Sequence, residues 1–350
     1  MFAGEGSVSP QPVETIYFGG GTPSVLNREQ LGSIFKTVRE TFELDAKEIT
    51  LEANPEHITP DYLNMLTEQG ITRLSMGVQS FDPGILASMH RAHDREQAIK
   101  ALSALKDFSS WSCDLIYGNP GQTLEMLRTD VEMMLSFDPP HISAYSLTLE
   151  ERTRLHKEVQ LGRTQMPEQD RVAEHAEFVS ETLRAHGYER YEVSSYARPG
   201  HRAVHNHRYW NHVEYLGFGP SAHSFLWEHS PEGIPVRWSH DRDLRAYLSQ
   251  RAGISKEKLS LQDLAEERIM MGFRTSDGVM THELLTRYGY RLSSAQFDWI
   301  MRKMEERFVQ MPKEQNPKEQ NSNTITLTES GLAIADTLTV DFLALHETSA

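Results

Sequence analysis

Apolar and polar positions in the first half of the chain alternate between a strand-like and a helix-like period. The run Thr15-Ile16-Tyr17-Phe18 predicts a buried strand that ends in Gly19-Gly20-Gly21 and a Thr22-Pro23-Ser24 turn. Leu31, Ile34, Phe35, Val38 and Phe42 then follow helical spacing behind Asn27, with Gln30 in capping-box position. Glu48–Ala53 predicts a second strand ending at Asn54-Pro55, and Thr59-Pro60 opens a helix that Gly70 closes. Arg73–Val78 predicts a third strand, and Pro83–Leu105 is largely helical in pattern. Ser112–Tyr117 predicts the fourth strand, followed by Gly118-Asn119-Pro120-Gly121 and a helix through Leu135; His141–Thr148 predicts the fifth. Such alternation implies an α/β fold, a parallel sheet wound with right-handed crossovers, hence an α/β barrel or part of one.

In folds of this class chemistry gathers at the C-terminal ends of the strands. Gly19–Thr22 follows the first strand, Glu52 lies near the end of the second, Gln79 follows the third, and Asp114 lies in the fourth. The glycine loop lacks the Gly-Lys-Ser/Thr of a phosphate-binding loop and the spacing of a dinucleotide fingerprint. Two readings stay open: a tight turn, or bare backbone offered to a zwitterionic ligand. Glu52 and Asp114 interrupt apolar strands, and buried carboxylates require a partner or a cavity. Either Arg91 pairs with them internally, or they accept from ribose hydroxyls or an ammonium.

From about Glu150 the pattern changes. Asp170–Ala185 is helical and stopped by Gly187, and a glycine- and aromatic-rich stretch carries His201, His205, His207, His212 and His223. Histidine is a common metal and haem ligand, yet polar-loop histidines are usually solvated, and the spacing fits no standard zinc site. The neighbouring Tyr209, Trp210, Tyr215 and Phe218 suit a flat macrocycle or an ordinary core. A mostly helical region follows from Leu259, where the helix Ser294–Phe308 and strand Thr324–Leu327 flank the tandem Pro312–Asn316 and Pro317–Asn321. The short polar repeat predicts a solvated loop in a winged-helix-like module. The expected organisation is a leader (1–12), a partial barrel (13–165), an extension (166–258) and the C-terminal module (259–350).

Composition narrows the function. Apolar residues at 38% and charged residues at 24% are globular values. A formal charge of −15 disfavours nucleic acid and anionic membrane as partners and gives the winged-helix module a packing role. No apolar stretch suits a transmembrane helix and the leader lacks a signal-peptide pattern, so a cytoplasmic protein is expected. Cys113 is the only cysteine and is expected to be a small buried side chain.

The segments Phe18-Gly19-Gly20-Gly21-Thr22-Pro23-Ser24, Leu51-Glu52-Ala53-Asn54-Pro55, Leu74–Ser80 and Asp114–Thr123 resemble the oxygen-independent coproporphyrinogen oxidase family of radical SAM proteins. Order and spacing agree from about Val13 to the C-terminus. His205-Asn206-His207-Arg208-Tyr209-Trp210 resembles the His-Asn-x-x-Tyr-Trp motif of the HemW-like haem chaperones within that family. The resemblance implies a partial radical SAM (β/α) barrel and a haem chaperone that delivers haem to respiratory proteins. It implies that Gly20, Gly21, Thr22, Glu52, Gln79, Arg91 and Asp114 bind S-adenosylmethionine and that His205 contacts haem. The family also places a Cys-x-x-x-Cys-x-x-Cys loop after its first strand, whose thiolates hold a [4Fe–4S] cluster. This sequence contains no such loop and starts at the family's second strand, so no catalytic activity and no metal ligands are expected of it. A coproporphyrinogen III oxidase-like enzyme of porphyrin biosynthesis and an inactive truncated fragment are the alternatives.

Overall fold

A computed structural model describes residues 12–347 apart from 152, 228–234 and 312–322. The chain forms two compact units, Met1–Arg190 with Ser194–His205, and Tyr191–Val193 with Asn206–Ala350.

In the first unit the elements run β1 (Val13–Phe18), α1 (Arg28–Thr41), β2 (Leu44–Ala53), α2 (Pro60–Gln69), β3 (Arg73–Gln79), α3 (Pro83–Ser88) and α4 (Arg95–Ala104). They continue as β4 (Trp111–Tyr117), α5 (Leu124–Leu135), β5 (His141–Ser146), α6 (Arg154–Gln160), α7 (Gln169–Ala185), β6 (Glu189–Arg190) and β7 (Ser195–Ala197). The sheet has seven strands in the order β1-β2-β3-β4-β5-β7-β6. Strands β1 to β5 pair in parallel, as the βα alternation requires, whereas β7 runs antiparallel to β5 and β6 antiparallel to β7. This antiparallel end was not legible in the sequence, because strands of two and three residues carry almost no periodicity.

Side chains alternate between the two faces of the sheet. Leu51, Leu74, Met76, Cys113, Leu115 and Ile142 enter an apolar core with Leu31, Phe35 and Leu66 of the helices. The opposite face is polar. Register sets Thr15 beside Glu48, Tyr17 beside Thr50, Glu52 beside Ser75, Ser75 beside Ser112, and Asp114 beside Ser143. Directly paired residues share a face, so the polar groups form one continuous layer across five strands.

The helix predicted over Pro83–Leu105 is divided. His90 adopts a left-handed backbone (φ 54°), and Asp94 restarts the helix by accepting the Gln97 N–H in a capping box. Capping chemistry here outweighs the continuous helical pattern. The capping boxes and caps at Asn27 and Thr59 form as predicted. The elements α7, β6 and β7 belong to the first compact unit.

Helix α8 (Val204–Trp210) spans the division between units. The second unit then contains β8 (His223–Leu226), β9 (Val236–His240), α9 (Leu244–Leu248), β10 (Ile254–Lys258), α10 (Leu261–Phe273), β11 (Val279–Met280) and α11 (Thr281–Tyr288). It ends with α12 (Ser294–Glu305), β12 (Val309–Gln310), β13 (Thr324–Leu327), α13 (Glu329–Leu332) and α14 (Ala335–Glu347). Strands β8 to β10 form one three-stranded antiparallel sheet and β11, β13 and β12 another. Three helices followed by the β12–β13 hairpin give the winged-helix order, and the tandem Pro312–Asn321 segment lies outside the described residues. Helix α12 stops three residues before the predicted Phe308, where Arg307 turns left-handed (φ 63°). No helix among the described residues is long and apolar enough to cross a membrane.

Candidate functional site

The glycine loop is shaped by its neighbours on the polar face. A Cβ on Gly19 would lie 2.6 Å from the Tyr17 ring and 3.2 Å from Glu52 Oε1, so the backbone passes where no side chain fits. Gly20 takes φ +102°, a conformation that favours glycine. Its N–H donates to Glu52 Oε2 at 3.2 Å. On the other side, nothing lies within 4 Å of a Cβ placed on Gly20 or Gly21, which leaves the loop open to a ligand. The following turn is locked by Ser24, whose Oγ lies 2.9 Å from His57 Nδ1 and accepts the Asn54 N–H. Thr22 precedes the short helical turn Pro23–Val25, its carbonyl accepting the Val25 N–H while its side chain makes no capping bond.

Glu52 Oε1 also accepts the Tyr17 hydroxyl at 2.7 Å. Burial and then the Glu52 charge push the Tyr17 phenol far above its ordinary range, so it remains a donor. Two strands away, Asp114 accepts from Ser75 Oγ at 3.2 Å. Burial raises the Asp114 carboxyl to about 6; hydrogen bonds from Ser143 and Ser75 oppose the shift and the Glu52 charge adds to it. Two mutually repelling carboxylates on a desolvated face attract a ligand bearing donors or positive charge.

Gln79 and Arg91 form the adjoining wall. Gln79 holds a left-handed backbone (φ 70°), unusual for a residue with a side chain. Arg91 Nη2 donates to Asn54 Oδ1 and to the Gly77 carbonyl, each at 2.9 Å. It makes no ion pair with Glu52 or Asp114 among the described residues, so the internal salt bridge gives way to a brace between β2 and β3. Gly77 is required by this brace: its Cβ would sit 3.0 Å from Gln79 Nε2 and 3.2 Å from Arg91 Nη2. Gln79 Oε1 and Arg91 Nε are buried without a hydrogen-bond partner among the described residues. One acceptor and one donor therefore await a partner beside the two carboxylates and the open glycine loop. That donor set fits the ammonium, carboxylate and ribose hydroxyls of an amino-acid-bearing nucleoside.

It does not fit an iron–sulfur cluster. Cys113, the sequence's only thiol, is buried in the core, and burial pushes its thiol well up. No group of three or more histidine, cysteine or acidic side chains able to hold a metal occurs among the described residues.

His205 is placed on the same polar face. Its Nδ1 lies 2.9 Å from Thr15 Oγ1, and its ring stacks on Tyr17 with centroids 4.9 Å apart. Burial lowers its pKa, so the imidazole is neutral at pH 7. The other histidines of the stretch take different partners. His207 Nε2 lies 3.0 Å from Asp277, and buried His212 Nδ1 lies 3.1 Å from the Tyr288 hydroxyl. Tyr17, Asn54, Ser75 and Glu48 belong to this arrangement and were not singled out from sequence. Glu48 and Glu52 are four positions apart on one strand, so they share a face, and that spacing was the available signal.

Residues 3–134 match the radical SAM superfamily. The chain is 33% identical over 284 residues to heme chaperone HemW of Lactococcus lactis, covering 79% of this chain and 73% of that protein. It is 32% identical to heme chaperone HemW of Bacillus subtilis over 285 residues (80% and 74% covered). The fold is similar to that of coproporphyrinogen III oxidase (HemN) from Escherichia coli, with a TM-score of 0.76 at 20% identity over 95% of this chain and 78% of that one. At that identity the likeness concerns the fold. Sequence identity of this extent, over about four-fifths of the chain and nearly three-quarters of those relatives, places the chain in the HemW family of radical SAM proteins.

Proposed function

We propose that this protein is a haem chaperone that binds haem, through His205, and delivers it to respiratory proteins from the cytoplasm. The observation that carries the reading is its identity to heme chaperone HemW of several bacteria at 32–33% over about four-fifths of the chain. A neutral imidazole presented on a polar sheet face supports the choice of His205, because an iron ligand needs an unprotonated ring nitrogen. Haem titration tests it. His205→Ala is expected to weaken binding by at least about tenfold and to change the Soret band. An unchanged affinity and spectrum would remove His205 from the site.

The same scaffold would hold S-adenosylmethionine through Gly20, Gly21, Thr22, Glu52, Gln79, Arg91 and Asp114. That ligand, when bound, brings a sulfonium and an adenosyl group. The chain's own part is positional: the open backbone at Gly21 and Thr22 faces its amino-acid end, the Gly20 N–H orients Glu52, and Glu52 and Asp114 accept from its ammonium and hydroxyls. Because Asp114 titrates near pH 6, its ionised form is lost as pH falls through that value. Affinity for S-adenosylmethionine is expected to fall between pH 7.5 and 5.5, and Asp114→Asn should flatten that slope. Calorimetric titration at both pH values measures it; a slope that survives the substitution would assign the effect elsewhere.

A further inference from the structure

Asp114 is held by serines from both strands that flank β4. Register sets Ser75 of β3 beside Ser112 of β4, and sets Asp114, two residues further along β4, beside Ser143 of β5. Ser75 Oγ donates to the two Asp114 oxygens at 3.4 and 3.2 Å, and Ser143 supplies a side-chain hydrogen bond from the other side. A hydroxyl carries one hydrogen, so Ser75 can meet a second partner only as an acceptor, and Ser112 Oγ donates to it at 3.0 Å. The chain of hydroxyls therefore runs one way, from Ser112 through Ser75 to the carboxylate. Ser112 and Ser143 are buried, whereas Ser75 and Asp114 keep part of their surface exposed, so the chain leads from the interior of the polar layer outward.

Hydrogen bonds of this kind are stronger to a carboxylate than to a carboxylic acid. They oppose burial and the Glu52 charge, both of which favour the protonated form of Asp114. Of the other ionisable groups around it, Arg73 of β3 favours the carboxylate. Tyr17 of β1 and Cys113 of β4 stay protonated, and burial keeps His141 of β5 neutral. We propose that Ser75, backed by Ser112 and faced by Ser143, is the positioning residue of Asp114, holding it oriented and ionised for S-adenosylmethionine near neutral pH. The inference rests on the reading of Asp114 as a contact of that ligand.

The full chain is titrated calorimetrically with S-adenosylmethionine from pH 5.5 to 8. The Asp114 carboxyl is followed over the same range in the ligand-free protein by carbon-13 NMR, its signal assigned by its loss in Asp114→Asn. Ser75→Ala is expected to raise the midpoint of both curves by about one pH unit, which lowers affinity at pH 6.5 about threefold. Ser112→Ala weakens the Ser75 bond without deleting it and should move both the same way by less. Ser75→Thr, which keeps the hydroxyl, should restore them. If Ser75→Ala does not fold, Ser112→Ala and Ser143→Ala carry the test. Midpoints unmoved in Ser75→Ala, while Asp114→Asn abolishes the pH dependence of binding, would overturn the positioning role and leave the ligand reading standing. A carboxyl midpoint that moves in Ser75→Ala, while binding ignores both that substitution and Asp114→Asn, would uphold the serines' hold on Asp114 and overturn its reading as a ligand contact.

Discussion

Asp130→Ala is expected to destabilise the first unit by about 3 kcal/mol and to disturb the wall of the ligand site. Asp130 lies on α5 and is buried. Its Oδ2 accepts the Ser80 hydroxyl at 2.6 Å and its Oδ1 the Phe81 N–H at 2.7 Å. Ser80 Oγ in turn accepts the Asp82 N–H at 3.0 Å. Truncation leaves the first two donors buried and unpaired, at about 1–3 kcal/mol each. The gain in helix propensity from alanine is about 0.5 kcal/mol and offsets only a small part. The turn so anchored directly follows Gln79, whose backbone is left-handed. Asp130→Asn retains one acceptor and should cost about half as much. Urea unfolding of the three proteins measures the difference; equal midpoints for wild type and Asp130→Ala would show that the clamp contributes nothing.

Trp299→Ala is expected to cost the second unit about 3–5 kcal/mol, as for other large buried aromatics. Trp299 is buried in α12, parallel to Phe273 (centroids 6.2 Å) and edge-on to Phe342 (5.1 Å). These three rings join α10, α12 and α14, so the cavity left by alanine would open at the centre of the winged-helix core. Trp299→Phe keeps a ring there and should lose much less. Calorimetry of the three proteins reads the loss as a lowered transition for this unit. A melting profile unchanged in Trp299→Ala would contradict the packing described for it.

Much of the first unit was legible from residues alone because its strands are apolar on the core side and its helices begin with explicit caps. Asn27 with Gln30 and Thr59 with Pro60 fixed helix starts that the structure reproduces. The site was legible as a list, since Glu52 and Asp114 break apolar runs, but not as a geometry. Tyr17 hides within an apolar strand, and its bond to Glu52 depends on strand register rather than on spacing. Arg91 looked like a partner for the acids and instead braces Asn54 and Gly77. The spacing of Glu48 to Glu52 put both on one face, but the partners of Glu48, the amides of residues 204 and 205, lie far along the chain and could not be read. Contacts set by long-range closure leave no local periodicity to read.

The proposed haem-chaperone role is tested most directly by transfer. The chain loaded with haem is mixed with a haem-free respiratory cytochrome, and the Soret bands of donor and acceptor are followed at several acceptor concentrations. A chaperone predicts that the acceptor's band appears as the donor's disappears, at a rate that rises with acceptor concentration. A rate that does not depend on the acceptor, or an acceptor that stays haem-free while the chain keeps its haem, would contradict it.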